Sequence, residues 1–137
     1  MPWAASLVKL ANAKTALPFD EAFWRAVGCN WLVCLAVFAA YSAKDTAGKI
    51  VALWIPTMAF VALGMEHCVA NMFFIPAALM TAADPRYTAL AAAGQVPELT
   101  ATVNTFLIDN LIPVTLGNIV GGAVLVAGFY CFIKRAR

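Results

Sequence analysis

Three long stretches of this chain are almost entirely apolar, and shorter polar segments separate them. The stretches run over residues 19–42, 50–81 and 107–133. The hydrocarbon core of a bilayer requires about 20 apolar residues in a helix that crosses it, so each stretch is predicted to be a transmembrane helix. The segment over residues 1–17 is too short to cross, and we expect either an interfacial helix or the end of a missing span.

The second stretch is longer than a straight crossing requires and contains residues that interrupt helices. These are Pro56, Gly64, Asn71 and Pro76. Pro76 lacks a backbone donor and disfavours helical geometry at the preceding residue, so we expect a break between Asn71 and Pro76. Broken helices at membrane depth persist where they are buried in protein or line a cavity, as in transporters. A kink without a function is the alternative.

The connection over residues 81–106 is the most polar part of the chain. Asp84-Pro85 and Gly94 to Pro97 indicate turns near its two ends. The alanines between these turns predict a short surface helix. We assign no chemistry to this connection.

The composition agrees with an integral membrane protein. Hydrophobic residues make up 64% of the 137 positions, charged residues 12%, and the mean hydropathy is +0.84, all far from the averages of soluble domains. The net charge of +2 is thinly spread, which argues against nucleic-acid binding. The four cysteines form no CxxC pair, so we interpret them as packing residues and expect no metal site or disulfide.

The distribution of basic residues predicts the orientation in the membrane. The basic tail, residues 134–137, directly follows the third apolar stretch, and Lys and Arg accumulate in cytoplasmic segments. We therefore expect a multi-pass protein of the inner (plasma) membrane with a cytoplasmic C-terminus. The loop that carries Lys44 and Lys49 then lies on the same side.

The only histidine lies in the second stretch, within GMEHCVANMFFIP, residues 64–76. Ionisable residues inside spans are costly and are functional candidates, and histidine exchanges a proton near neutral pH. Burial disfavours the charged ring and an approaching anion favours it, so an anion and a proton can meet at His67. A core histidine is the alternative, and haem ligation with Met65 or Met72 is a further one. Glu66, about 100° away around a helix, is expected to order a loop or a subunit contact.

GMEHCVANMFFIP resembles the signature of the formate/nitrite transporter family, and two further stretches agree. GCNWLVCLAVF, residues 28–38, resembles the family's fourth span, and NLIPVTLGNIVGGAVLV, residues 110–126, the start of its sixth. The three blocks follow the family order and cover most of residues 14–133. The resemblance implies an all-α membrane protein with a broken middle span, which forms one inverted-repeat half of an aquaporin-like six-span channel.

The family implies pentamers whose protomers each pass small monovalent weak-acid anions, such as formate or nitrite, together with protons and without a cofactor. His67 matches the central pore histidine that is proposed to protonate the anion. Phe60, seven residues earlier and two turns back on one helix face, matches an aromatic of a constriction. Lys14 matches the basic residue that attracts anions, and Asn30 the polar residue near it.

Glu66 and Asn71 match motif positions of the broken span. Family members are about twice as long as this chain, and the part before the fourth span is absent. The leading hypothesis is the C-terminal half of a formate/nitrite-type channel, with formate preferred. This half is either part of a longer chain or one piece of a split transporter, in which a partner supplies the missing N-terminal half.

The main alternative is a non-transporting membrane fragment or an assembly partner of a split transporter. A third hypothesis is that two copies in opposite orientations rebuild the inverted-repeat pair. An enzyme is the least favoured class, because the sequence contains no nucleophile with its base and no metal cluster.

Overall fold

Every regular element within residues 2–135, the part of the chain that the structure describes, is a helix. The computed structural model contains α1 (Pro2–Thr15), α2 (Phe19–Ser42), α3 (Thr46–Ala62), α4 (Cys68–Ala82), α5 (Pro85–Ala92) and α6 (Thr105–Arg135). The expected all-α class is thereby confirmed. Met1 and two residues of the basic tail, Ala136 and Arg137, lie outside the described residues.

Two of these helices are long and apolar enough to cross a membrane. They are α2, with 24 residues, and α6, with 31, and at about 1.5 Å per residue both exceed the thickness of the hydrocarbon core. A further candidate is the pair α4 and α5, which meet at 77° across a short break. The apolar α3 has 17 residues and is shorter than a full crossing.

The second apolar stretch is interrupted at residues 63–67, between α3 and α4. The expectation of a break between Asn71 and Pro76 is wrong, because both residues lie inside α4. A proline within a helix removes one backbone hydrogen bond and bends the helix, and membrane helices tolerate this loss when neighbouring groups satisfy the freed carbonyl. Pro76 is therefore compatible with a continuous α4.

Gly64, two residues after the last residue of α3, stops the helix from continuing. Its φ of 63° lies in the left-handed region that glycine adopts without strain. The N–H of Gly64 donates to the carbonyl of Val61 at 3.1 Å, and that of Met65 to the carbonyl of Phe60 at 3.0 Å. These two bonds form a Schellman motif, which satisfies the last carbonyls of a helix.

The predicted turns and surface helix of the polar connection are present. The carboxylate of Asp84 accepts a hydrogen bond from the N–H of Arg86 at 2.8 Å and caps α5. Gly94, with a φ of 70°, ends α5 in a second Schellman motif. Its N–H donates to Ala91, and that of Gln95 to Leu90.

Two segments of α6 are π-helical, Thr105–Leu111 and Val120–Gly128. A π-turn closes its hydrogen bonds over five residues, is rare in proteins and is frequently found at functional sites. The apolar pattern of the sequence predicted a helix here but not this local widening.

The chain divides into two compact units, each described separately. The first comprises the chain up to Ala22 together with Cys68–Pro113. On α1, the buried residues Ala4, Val8 and Ala11 recur at helical spacing, and this face packs against α4. The core of the unit consists of Ala4, Val8, Ala11, Ile75, Ala78, Tyr87, Ala101 and Phe106.

Side chains of the first unit also hold the connection that follows α5. The Asn12 amide donates to the carbonyl of Glu98 at 2.8 Å and accepts from the N–H of Thr100 at 2.9 Å. The hydroxyl of Tyr87 donates to the carbonyl of Pro97 at 2.8 Å. These bonds supply partners for backbone groups that no helix satisfies.

The second unit comprises Phe23–His67 and Val114–Arg137, and its α2 and α6 lie in direct backbone contact. A Cβ atom at Gly117 would overlap the carbonyl of Phe23, and one at Gly121 that of Val27. Small residues permit such close approach between membrane helices. By contrast, α3 has no buried residue in this chain.

Candidate functional site

His67 lies in the segment between α3 and α4, and the ring of Phe60 packs against it. The ring centroids are 5.8 Å apart, and the ring planes are inclined by 30°. His67 is half-buried, with its Nδ1 atom inside the protein. The expected placement on one helix face is wrong, since α3 ends at Ala62. The two rings meet because the chain changes direction at the left-handed Gly64.

Glu66 is buried, with 2% of its surface exposed, and α6 holds its backbone. The amide of Asn118 donates to the carbonyl of Glu66 at 3.0 Å and to the carbonyl of Ala26 on α2 at 2.8 Å. Glu66 and His67 are not helical, so the angle expected between their side chains from helical geometry does not apply. One buried amide thus attaches the residue before His67 to α2 and α6.

Helix α2 provides two further contacts within the second unit. The guanidinium of Arg25 donates to the carbonyl of Gly64 at 3.3 Å, and the amide of Asn30 donates to the carbonyl of Asn118 at 2.7 Å. A Cβ atom at Gly122 would stand 2.6 Å from Nδ2 of Asn30, so glycine at this position leaves room for the amide. Asn30 therefore belongs to the network that holds the 63–67 segment.

Lys14 and Asn71, the other two predicted site residues, lie in the first unit. The amide of Asn71 donates to Oδ1 of Asn110 at 2.8 Å, and the amide of Asn110 donates to the carbonyl of Lys14 at 2.9 Å. Both asparagines are fully buried, whereas Lys14 is half-buried in the last turn of α1. The structure links Lys14 to Asn71 through Asn110.

The second unit presents an imidazole, a carboxyl group and neutral amides, and the first unit presents an ammonium group and neutral amides. Amide and ammonium groups donate hydrogen bonds to anions, and an imidazole exchanges a proton near neutral pH. Among the described residues, no three His, Cys, Asp or Glu side chains are grouped so that they could hold a metal ion. The chemistry that these groups offer is anion binding and proton transfer.

Asn110 and Asn118 were not selected as site residues from the sequence. Each is an amide within the long apolar α6, and 0% and 4% of their surfaces are exposed. Polar amides in membrane helices usually form interhelical hydrogen bonds. That rule would have identified both asparagines as candidate interhelical hydrogen-bonding residues, but their partners are visible only in the folded chain.

Comparison with known proteins identifies relatives over nearly the whole chain. The formate/nitrite transporter family matches residues 1–132. A probable formate transporter of Methanothermobacter thermautotrophicus is 47% identical over 93% of this chain and 40% of its own length. The formate channel FocB of Escherichia coli strain K12 is 42% identical over 93% of this chain and 46% of its own length.

Two solved structures also match. A pentameric formate channel with formate bound has a TM-score of 0.83 and 38% identity, and covers 96% of this chain and 52% of that chain. An ion channel of the FNT family has a TM-score of 0.75 and 32% identity, and covers 93% of this chain and 45% of that chain. The chain thus spans about half the length of these relatives, which are channels or transporters and not enzymes. The resemblance seen in its three motifs is confirmed, and the chain belongs to the formate/nitrite transporter family.

Proposed function

We propose that this chain passes formate, and by its family also nitrite, across a membrane as the C-terminal half of a formate/nitrite transporter, with His67 as the proton exchanger. The observation that carries the proposal is the stacking of Phe60 on His67, with ring centroids 5.8 Å apart, in the interruption between two apolar helices. A half-buried imidazole beside an aromatic ring combines a proton donor with an apolar constriction.

The physical argument concerns the cost of moving an anion through an apolar passage. Transfer of an ion into a medium of low dielectric costs at least several kcal/mol after relaxation. Protonation to the neutral acid removes most of this cost, and His67 can supply the proton at neutral pH. Phe60 then restricts the width of the passage and excludes water.

Lys14 is proposed to concentrate anions at the entrance, because a fixed positive charge raises the local concentration of anions. Asn30 and Asn71 are proposed pathway residues. Asn30 donates a hydrogen bond to the carbonyl of Asn118, and Asn71 donates one to Asn110. Glu66 is proposed to order the interrupted segment. Its burial and the bond from Asn118 to its carbonyl support this role.

We further propose a homopentamer with one pathway per protomer, in the plasma membrane with a cytoplasmic C-terminus. The pentameric formate channel at a TM-score of 0.83 supports the assembly. In this proposal the chain provides three spans, namely α2, the broken pair α3 and α4, and α6. They form one of two inverted repeats, and the N-terminal half belongs either to a longer chain or to a partner.

The test is formate entry into proteoliposomes, followed by a pH-sensitive dye inside and by radiolabelled formate. The chain is reconstituted alone and with the N-terminal half of the 47% identical relative, and protein-free liposomes report passive leak of formic acid. We expect formate-dependent acidification that His67→Ala abolishes, with nitrite measured in parallel. Acidification that persists at the wild-type rate in His67→Ala contradicts the role of His67.

A second candidate function is that of a non-transporting fragment or an assembly partner. The absence of any buried residue in α3 favours it, because this apolar helix is uncovered in the chain alone. Flux that appears only after the N-terminal half is added favours the split channel. If no combination transports formate above the leak, the fragment interpretation is the better one.

A further inference from the structure

Two buried asparagines attach the end of α1 to α4 and α6. The amide of Asn110 donates to the carbonyl of Lys14 at 2.9 Å, and the amide of Asn71 donates to Oδ1 of Asn110 at 2.8 Å. Neither asparagine has any exposed surface. Burial of an amide is costly unless its hydrogen bonds are made, so this chain of bonds is an ordered part of the structure.

The direction of these bonds is determined by the carbonyl of Lys14. A backbone carbonyl can only accept, so the side chain of Asn110 must present its NH2 group to Lys14. Its oxygen then faces Asn71, which must in turn present its own NH2 group. A reversed Asn110 would place two acceptors together at Lys14 and two donors together at Asn71. Asn71 therefore holds Asn110 in the orientation that the Lys14 carbonyl requires, and Asn110 holds the backbone of Lys14.

The hydrogen bond from Asn110 reaches the C-terminal end of α1, where the backbone carbonyls lack hydrogen-bond donors from within the helix. The last four carbonyls of a helix receive no bond from within it. In α1 the carbonyl of Asn12 accepts from the N–H of Ala16 at 3.1 Å and from the hydroxyl of Thr15 at 3.3 Å. The bond from Asn110 fixes the carbonyl of Lys14, and with it the point from which the ammonium side chain extends.

We propose that Asn110 is a positioning residue for Lys14, and that Asn71 acts through Asn110 rather than by touching the anion. The inference rests on the proposed function, in which Lys14 gathers anions. Loss of the Asn110 amide lets the end of α1 shift, so the ammonium no longer stays at one place and the affinity for the anion falls.

The test is a double-mutant cycle on formate uptake in the reconstituted preparation that transports formate. Lys14→Ala and Asn110→Ala are each expected to raise the apparent KM about tenfold by loss of a placed positive charge, with a smaller change in the maximal rate. The hydrogen bond to the Lys14 carbonyl survives in Lys14→Ala. In that background Asn110→Ala should therefore raise KM no further. The exposed Asn104, at the start of α6 and without a side-chain cap bond, provides the control Asn104→Ala.

A second measurement does not depend on transport. The rate of acetylation of Lys14 by a water-soluble amine reagent is measured by mass spectrometry relative to that of Lys9, an exposed lysine on the same helix. We expect the ratio of Lys14 to Lys9 labelling to rise severalfold in Asn110→Ala and to stay at the wild-type value in Asn104→Ala.

The possible outcomes separate the inference from the function on which it rests. Suppose that Lys14→Ala raises KM. If Asn110→Ala then leaves KM unchanged, or raises KM by its full factor in the Lys14→Ala background, the positioning role is overturned and the proposed function stands. If Lys14→Ala does not raise KM, the proposed role of Lys14 and the inference both fail. If no preparation transports formate, an unchanged labelling ratio in Asn110→Ala overturns the inference.

Discussion

Asn118 shows how a single side chain can hold an irregular segment within a membrane protein. Its amide donates to the carbonyls of Ala26 and Glu66, and its own carbonyl accepts from Asn30. Each such bond contributes about 1 kcal/mol net, but a buried group that loses its partner costs about 1–3 kcal/mol. The position of His67 therefore depends on an amide in another helix.

Removal of this amide is expected to weaken both the unit and the proposed pathway. Asn118→Ala removes the side-chain donor of the buried Glu66 carbonyl and a second donor of the Ala26 carbonyl, and should destabilise the protein by about 1–3 kcal/mol. The measurement is thermal unfolding in detergent, with formate uptake recorded on the same preparations. The exposed Asn104→Ala serves as the matched control. Equal unfolding temperatures for the two variants would show that the Asn118 bonds contribute little.

At the scale of elements, a left-handed glycine and not a proline determines where the second apolar stretch is interrupted. Gly64 ends α3 with two backbone hydrogen bonds, whereas Pro76 is accommodated within α4. A left-handed residue changes the direction of the chain, while a proline in a helix removes one bond and bends it. The interruption therefore falls next to His67.

Two glycines with similar backbone conformations allow the interruption to be tested separately from general stability. Gly64 and Gly94 have φ values of 63° and 70°, and a Cβ atom meets no close neighbour at either position. Gly64→Ala and Gly94→Ala should each cost about 1–2 kcal/mol of backbone strain, measured by thermal unfolding. Only Gly64→Ala is expected to reduce formate uptake, since Gly94 lies in the surface connection. A similar loss of uptake in both variants would contradict a special role for the interruption.

At the scale of the whole molecule, the chain leaves much apolar surface uncovered. No residue of α3 is buried, and exposed large side chains on it include Ile50, Trp54, Ile55 and Met58. Contiguous apolar surface of this kind marks contact with lipid or with another protein. Such a surface is consistent with a membrane protein of the formate/nitrite transporter family and with a partner that covers α3.

The orientation in the membrane can be measured with single cysteines. After the four native cysteines are replaced by alanine, Lys44→Cys and Gln95→Cys place thiols at exposed positions before α3 and after α5. In spheroplasts, a membrane-impermeant maleimide should label Gln95→Cys at once and Lys44→Cys only after permeabilisation, because Lys44 belongs to the loop expected in the cytoplasm. The reverse pattern would contradict a cytoplasmic C-terminus. Partial labelling of both would favour two copies in opposite orientations.

Much of this molecule follows from the sequence alone because the signals are local. The lengths and apolar character of α2 and α6, and the turns that flank α5, depend on neighbouring residues. The motif around His67 was sufficient to recognise the family, which the comparisons confirm. The sequence also contained the three elements of the second stretch: an apolar run, an interruption and a second apolar run.

Tertiary structure decided what holds that interruption in place. Asn110 lies 96 positions along the chain from its partner Lys14, and Asn118 lies 52 positions from Glu66. Hydrogen bonds over such separations leave no trace in a local pattern, because they depend on which helices pack together. The meeting of Phe60 and His67 likewise depends on a change of chain direction at Gly64 and not on helical periodicity. The sequence contains the residues that are proposed to carry the chemistry, and the packing of the helices determined their partners.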